Sequence, residues 1–314
     1  MTAKEIFFQD KKNCSVPFTH ISDEPCETAL GELDELYGAA DVLSIQNAVK
    51  HRRILLLLAV AGTLLTLAFL LYDEVELHGL IFACAVMILC LFLIRQIGSR
   101  IDCHRKYLEY RVLAEAIRVQ YFLCLGGSWV RVSDILPWPL KQRLPWINEI
   151  LSELTFHSPE NQRPVLDLWI RDQKNYHTKA LLEAEKKNHK DEAVTRTVII
   201  ITIIAYLGAV VFELVFYRNN SMIQDANTAR VILKILLGTL SAITLLTGSY
   251  YGKMSLANVI DDHKRMIALY QKAEEDILSY GENEELLLGL AREALNENST
   301  WFAYQSMNKP DLII

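Results

Sequence analysis

Four long apolar runs constrain this chain more than any other feature: residues 54–72, 77–94, 198–217 and 231–250. Each is close to the ~20 residues that a helix needs to cross the hydrocarbon core of a bilayer. No soluble domain of 314 residues needs four such runs. The sequence therefore predicts an all-α integral membrane protein, with four transmembrane helices in two hairpins and long cytoplasmic helical extensions. Mean hydropathy is only +0.16, low for a transporter, so much of the remaining chain lies in water.

Composition closes off other classes. A formal net charge of −6 removes a general nucleic-acid footprint, and no nucleic-acid partner is expected. The first 50 residues hold no apolar segment of the signal-peptide kind, so the first span is expected to act as the membrane signal. The six cysteines, Cys14, Cys26, Cys84, Cys90, Cys103 and Cys124, form no CxxC pair. They support neither a zinc site nor a disulfide framework and read as reduced packing residues.

Positive charge flanking the spans sets their orientation. Lys50, Arg52 and Arg53 precede the first span; Arg95, Arg100, Arg105 and Lys106 follow the second. The intervening turn, Asp73-Glu74-Val75-Glu76, carries no positive charge. Lys186, Lys187, Lys190 and Arg196 precede the third span, and Lys253, Lys264 and Arg265 follow the fourth, against only Arg218 and Arg230 in the loop between. Both hairpins are thus expected to point outward, with both termini and the middle segment cytoplasmic.

The two halves share more than hydropathy. Ile101-Asp102-Cys103-His104-Arg105-Lys106 follows the second span, and Ile260-Asp261-Asp262-His263-Lys264-Arg265 follows the fourth. At the same spacing, Ala114-Glu115 matches Ala273-Glu274. A parallel duplication of a helix–hairpin–helix unit accounts for this; two unrelated hairpins with similar flanks are the alternative. The expected organisation is an N-terminal segment, 1–34; a first repeat, 35–125; a connector rich in Pro and Trp, 126–164; a second repeat, 165–281; and a C-terminal docking helix and tail, 282–314.

Residues 95–125 lack proline and place Tyr107, Tyr110, Leu113, Ala114, Ile117 and Tyr121 at helical spacing. With only Gly98 between, this helix is expected to continue the second span from residue 77 to 125. The fourth span is expected to run on to residue 280, with Gly248 and Gly252 allowing a bend. Gly126-Gly127 ends the first repeat, and residues 147–154 are expected to form one short helix. Trp129, Trp138 and Trp146 sit either at headgroup level or in a packed connector. Leu286, Leu287, Leu290, Ala291 and Leu295 form the stripe of the docking helix.

Few polar groups interrupt the spans. Glu213 and Lys234 fall at similar depth near the outer side, where charge is costly and calls for a partner or a function. They read either as a structural pair or as charges at the outer mouth of a pore. Thr63 and Thr66 in the first span, with Ser241 and Thr244 in the fourth, form small or hydroxylated stripes that either pack helices closely or line a water path. Asp102, His104, Asp261 and His263 are candidates for contacts at an inner mouth or between repeats. Residues two apart on a helix do not face each other, which argues against catalytic Asp–His pairs. Arg171 and His177 have the loose spacing of some ribonucleases, a common coincidence. No P-loop, GxGxxG, HExxH or GxSxG occurs. No catalytic, cofactor-binding or metal-binding residues are expected.

Three stretches resemble SLATT-type two-span membrane effectors and the related four-span modules fused to SLOG or LSDAT sensor domains. They are Arg111…Ala114-Glu115…Arg118, Trp169-Ile170…Gln173…Tyr176-His177, and Arg292-Glu293-Ala294-Leu295…Asn298…Trp301…Lys309-Pro310. The resemblance covers roughly residues 35–125 and 165–314. It implies a multi-pass protein of the bacterial inner membrane, acting in conflict with phage as an oligomeric, gated pore or membrane-disrupting effector triggered by a nucleotide signal or a partner. This chain has no recognisable sensor domain, so the resemblance places sensing in a separate cytoplasmic protein or in the cytoplasmic helices. The alternative is a membrane-anchored scaffold that recruits a soluble partner through the acidic segment 23–35 and the cytoplasmic helices. The expected partners are membrane lipid, further copies of the chain and a cytoplasmic sensor.

Overall fold

The structure is a computed structural model; it describes residues 1–21, 30–75, 79–156, 165–218, 223–254 and 256–307. Cys26, most of the acidic segment, Glu76, Pro159 and Lys309-Pro310 lie outside these residues. Among the described residues every regular element is helical. No proline stands between Pro25 and Pro137 or between Pro164 and Pro310, and the long helices occupy those two stretches.

The first helix, α1 (Ala3–Asn13), starts at a capping box. The Glu5 amide donates to Thr2 Oγ1 at 3.2 Å, and the Thr2 amide donates to Glu5 Oε2 at 2.8 Å, satisfying two amides that a helix start leaves open. Helix α2 (Gly31–Val75) runs unbroken for 45 residues, from a polar first half into the first apolar run. Next come α3 (Leu80–Ile101) and α4 (Cys103–Leu125). The helix expected to be continuous is interrupted at Asp102. Asp102 adopts the left-handed conformation, φ 54° and ψ 38°. Aspartate is among the few non-glycine residues that visit this region readily. Its carboxylate is held by Arg105 Nε at 2.5 Å. Gly98 stays helical, with Ile54 Cγ2 only 3.3 Å from where its Cβ would stand.

Gly127, at φ 85°, ends α4 as the sequence predicts. The connector then folds into α5 (Val132–Ile135), α6 (Trp138–Arg143) and α7 (Pro145–Glu153). Pro139 and Pro145 lie in the first turns of α6 and α7, where a missing N–H costs nothing. A π-helical turn (Leu166–Arg171) leads into α8 (Asp172–Arg218), 47 residues long. Helices α9 (Ile223–Met254), α10 (Leu256–Tyr280) and α11 (Glu284–Met307) complete the chain.

Two compact units cut across the sequence repeats. The first comprises Met1–Lys50, Asp102–Ala184 and Ala257–Lys309. Its core is organised around α4, which is buried on nearly every side. Helix α11 packs along α4 through Leu287, Leu290, Ala291, Leu295 and Phe302. The connector belongs to this core: Leu140, Ile147 and Leu151 are essentially inaccessible. Trp146 is buried and donates from Nε1 to Glu109 Oε2 at 3.0 Å, while Trp129 and Trp138 are exposed. Phe7 of α1 is fully buried, its ring 5.2 Å from Tyr110 and 6.0 Å from Trp146.

The second unit comprises His51–Ile101 and Glu185–Leu256. Among the described residues, four helices are long and apolar enough to cross a membrane, with peak mean hydropathies of 2.7, 2.5, 2.6 and 1.9. Phe82, Phe92, Leu207, Leu214 and Leu245 are all more than half exposed. Large apolar side chains presented outward along whole helices suit a lipid environment and not water. Leu55 and Leu58 of α2 cluster with Leu91 of α3. Helix α2 also meets α9, where Leu70 Cδ1 lies 2.7 Å from the point a Cβ on Gly238 would occupy, and Leu246 approaches Gly62.

Candidate functional site

Within the first unit, α4, α8, α10 and α11 line an open cavity of about 140 Å³. Helix α4 supplies Arg111, Glu115 and Arg118, four and three residues apart and so on one face. Helix α11 supplies Ala294, Glu297, Asn298 and Trp301 by the same rule. Helix α8 adds His177; α10 adds Val259, Asp262, His263 and Met266.

The charges are arranged in two groups. Glu115 bridges two arginines: Oε1 meets Arg111 Nη2 at 2.5 Å, and Oε2 meets Arg118 Nη2. Arg111 also reaches Asp41 Oδ1 of α2 at 3.3 Å. Burial alone would raise the Glu115 carboxyl, but Arg111 and Arg118 bring it below the usual carboxylate range. Arg265 of α10, outside the lining, pairs with two residues that do line the cavity, Asp262 and Glu297, the latter at 2.8 Å. Asn298 Nδ2 donates to the Val112 carbonyl at 3.4 Å, fastening α11 to α4.

Two histidines meet in this cavity. His177 Nδ1 lies 3.0 Å from His263 Nδ1, so one ring must present a lone pair there. Burial is the main cause that lowers His177 to about 3, with Arg118 and His263 adding to it. Burial also lowers His263, against the opposing pull of Asp262. His177 is 8% exposed, and its Nε2 is buried with no hydrogen-bond partner among the described residues. The same is true of Arg118 Nε.

Of the sequence-derived candidates, only His263 lines this cavity. Asp261 is exposed, and its neighbour Asp262 takes the inward position. Asp102 and His104 line a separate cavity of about 350 Å³, with Arg105, Glu109, Arg143 and Ser306. There His104 Nε2 lies 3.4 Å from the Gln305 carbonyl oxygen. The two Asp/His motifs are thus not brought together. Glu274, which the sequence comparison of the halves matches to Glu115, also bridges two cations, Arg171 at 2.7 Å and Lys174.

In the second unit Glu213 and Lys234 are not paired with each other. Both Glu213 oxygens accept from Arg230, at 2.8 and 2.9 Å. Lys234 Nζ lies 3.1 Å from Glu74. Arg230, one turn before Lys234, occupies the position from which Glu213 is reached. The hydroxyls of Thr63, Thr66, Ser241 and Thr244 donate to carbonyls one turn back on their own helices. Ser241 and Thr244 also contact Tyr206 and Thr202 of α8, each at 2.9 Å.

Sequence reasoning quoted Arg111, Glu115, Arg118 and His177 without giving them a shared site, and missed Asp262, Arg265 and Glu297. The available signal was the charged face of Arg111, Glu115 and Arg118 in a stretch of α4, Tyr110 to Leu125, where Gln120 is the one other polar side chain besides the tyrosines. Among the described residues, no group of three or more His, Cys, Asp or Glu is placed to hold a metal ion.

Residues 38–129 match the family described as a protein of unknown function, DUF4231. The match takes in most of α2, all of α3 and α4, and fewer than a third of the residues of the chain. No curated protein and no solved structure matches the chain.

Proposed function

We propose that this chain is a gated membrane effector of the bacterial inner membrane, in which the first unit is cytoplasmic and controls the spans. The observation that carries this reading is chain continuity. Helices α2 and α8 pass without interruption from the polar unit into apolar spans, and α4 follows α3 after one residue. Three helices that line the charged cavity, α4, α8 and α10, adjoin spans in sequence. A ligand or partner that prefers one arrangement of these helices would shift the population of span arrangements. The excess of Lys and Arg beside the spans supports a cytoplasmic first unit and outward-pointing hairpins. The three stretches that resemble SLATT-type effectors all contribute to the cavity, through Arg111, Glu115 and Arg118, His177, and Ala294, Asn298 and Trp301. This supports a role in bacterial conflict, triggered by a signal or a sensor partner. Because Ser241 and Thr244 are engaged with α8, a conducting path would form between copies of the chain in an oligomer.

The experiment is membrane potential, read with a voltage-sensitive dye, in bacteria induced to express the chain. Depolarisation with growth arrest is expected, relieved in Glu213→Ala/Lys234→Ala at equal expression. An unchanged potential, with the protein in the membrane and its trigger present, rejects the effector reading.

The engagement of Ser241 and Thr244 with a neighbouring helix favours a second reading, a membrane-anchored scaffold for a soluble partner. It predicts stable co-purification of that partner and a membrane potential indifferent to Glu213 and Lys234.

A further inference from the structure

We propose that residues 2–21 act as an autoinhibitory clamp. They fasten the polar half of α2 to the first turns of α4, and their release frees the two helices that lead into the first hairpin. The inference deepens the gated-effector reading by naming its restraint, and rests on that reading only for the consequence in the membrane.

The grip on α4 is made by α1. Asp10 Oδ2 accepts from Lys106 Nζ and from the Tyr110 hydroxyl, each at 2.7 Å. Phe7, the buried side chain of α1, lodges against Tyr110 and Trp146. Lys4 Nζ extends the contact to α7, reaching Glu149 and Glu153, each at 2.7 Å.

The grip on α2 is made by the residues that follow, which have no regular secondary structure. The Thr19 carbonyl rests directly on Gly38. A Cβ at Gly38 would overlap the Thr19 oxygen and lie 2.9 Å from Phe18 Cβ. Asp34 and Asp41 stand one turn to either side, on the same face of α2 by helical spacing. Asp34 accepts from the Ile21 amide at 2.7 Å and from His20 Nδ1 at 2.6 Å. Asp41 Oδ2 accepts from Thr19 Oγ1 at 3.1 Å, while its other oxygen reaches Arg111 of α4. Asp34, Gly38 and Asp41 thus form a seat, bare backbone between two acceptors, where α2 meets α4.

Two features make the clamp releasable. Helix α1 has 11 residues, fewer than an isolated helix needs in water, so it keeps its form only while docked. Among the described residues, 15–21 make no backbone–backbone hydrogen bond, and Ser15, Val16, Pro17, Thr19 and His20 are exposed. Segments of this kind open well before the whole domain unfolds. The consequence follows from chain continuity. Helix α2 runs on into the first span, and α4 follows the second span after Asp102, with Lys106 one turn beyond that joint. Holding α2 and α4 together favours one arrangement of the hairpin, and a trigger has only to prefer the released state.

The test uses the full chain, with hydrogen exchange read by mass spectrometry in detergent and membrane potential read in bacteria. Gly38→Ala adds the Cβ that evicts Thr19, yet alanine is the better helix former, so α2 itself is not weakened. Asp34→Ala removes two contacts without adding bulk. In both variants residues 3–13 should exchange several-fold faster than in wild type, with α11 unchanged. Both should depolarise bacteria at several-fold lower expression than wild type. Gly31→Ala, at an α2 glycine with nothing within 4 Å of its Cβ, should match wild type in both readouts. Exchange at the wild-type rate in both variants overturns the clamp. Faster exchange with an unchanged expression threshold, where wild type does depolarise, overturns its inhibitory role. If no chain depolarises the membrane that holds it, the gated-effector reading fails and α4 decides the clamp. Faster exchange at residues 104–113 once residues 2–21 are released sustains it, and unchanged protection there overturns it.

Discussion

Glu115 is the residue on which the charged face of α4 depends, because it is the shared counter-charge of two arginines with little access to water. Arg118 is only 11% exposed at its side chain, and Glu115 15%. Removing one member of a buried ionic cluster leaves the others uncompensated, at a typical cost of ~3–5 kcal/mol. Glu115→Ala should therefore destabilise by about that amount, measured by denaturation in micelles, whereas a loss below ~1 kcal/mol would mean the arginines find water instead. His177 makes a pH prediction of definite sign. It is held near 3 in the folded chain against an ordinary value of 6.5, so between those values the unfolded chain binds more protons. Stability should fall as pH drops from 6.5 toward 3, by at most ~1.4 kcal/mol per pH unit from this residue. Thermal melts of wild type and His177→Gln across that window check it; an equal slope in both assigns the acid sensitivity elsewhere. The spacing of Arg111, Glu115 and Arg118 was readable in the sequence. That His177 would meet His263, 86 residues away, was not, because the contact depends on how α8 and α10 are rotated about their axes.

At the scale of elements the apolar runs were the most legible part, since the span length of a helix is set by the bilayer and not by neighbours. The boundaries were less so. Thr2 and Glu5 spell a capping box, yet α1 becomes evident only when Phe7 is seen filling the space between Tyr110 and Trp146. The sequence predicted a helix continuous through Gly98, and it is interrupted four residues later, at Asp102. Close packing accounts for Gly98: a glycine beside Ile54 lets α2 and α3 approach, and that use keeps it helical. The left-handed residue is Asp102, which joins α3 to α4. Asp102→Gly should fold within ~1 kcal/mol of wild type, gaining backbone freedom while losing the Arg105 contact. Asp102→Val should cost more than ~1–2 kcal/mol, because a β-branched side chain collides with its own carbonyl at positive φ. Comparing melting midpoints of the two variants tests the geometry; equal stability would place the joint in ordinary helical conformation.

Across the whole chain, the contacts among the spans show how two sequence halves share one membrane unit. Leu55, Leu58 and Leu91 join α2 to α3; the Thr202–Thr244 and Tyr206–Ser241 contacts join α8 to α9. The link between halves is α2 with α9, made by Leu70 against Gly238, Leu246 against Gly62, and Glu74 with Lys234. The sequence indicated small residues in both helices but offered no way to choose which helices they bring together. It paired Glu213 with Lys234 by depth alone, whereas Arg230 and Glu74 divide those charges between two interfaces. This arrangement makes a prediction independent of any activity. At Gly238 α9 meets α2: a Cβ there would sit 2.7 Å from Leu70 Cδ1. Leu70→Cys with Gly238→Cys, in a background freed of Cys84 and Cys90, should form a disulfide on mild oxidation in membranes. After cleavage of the chain between the halves, the two fragments should migrate together until reduced. Fragments that stay separate, alongside an efficient link in a Thr202→Cys/Thr244→Cys control, would place α2 and α9 apart and leave the first pair of spans without this contact to the second.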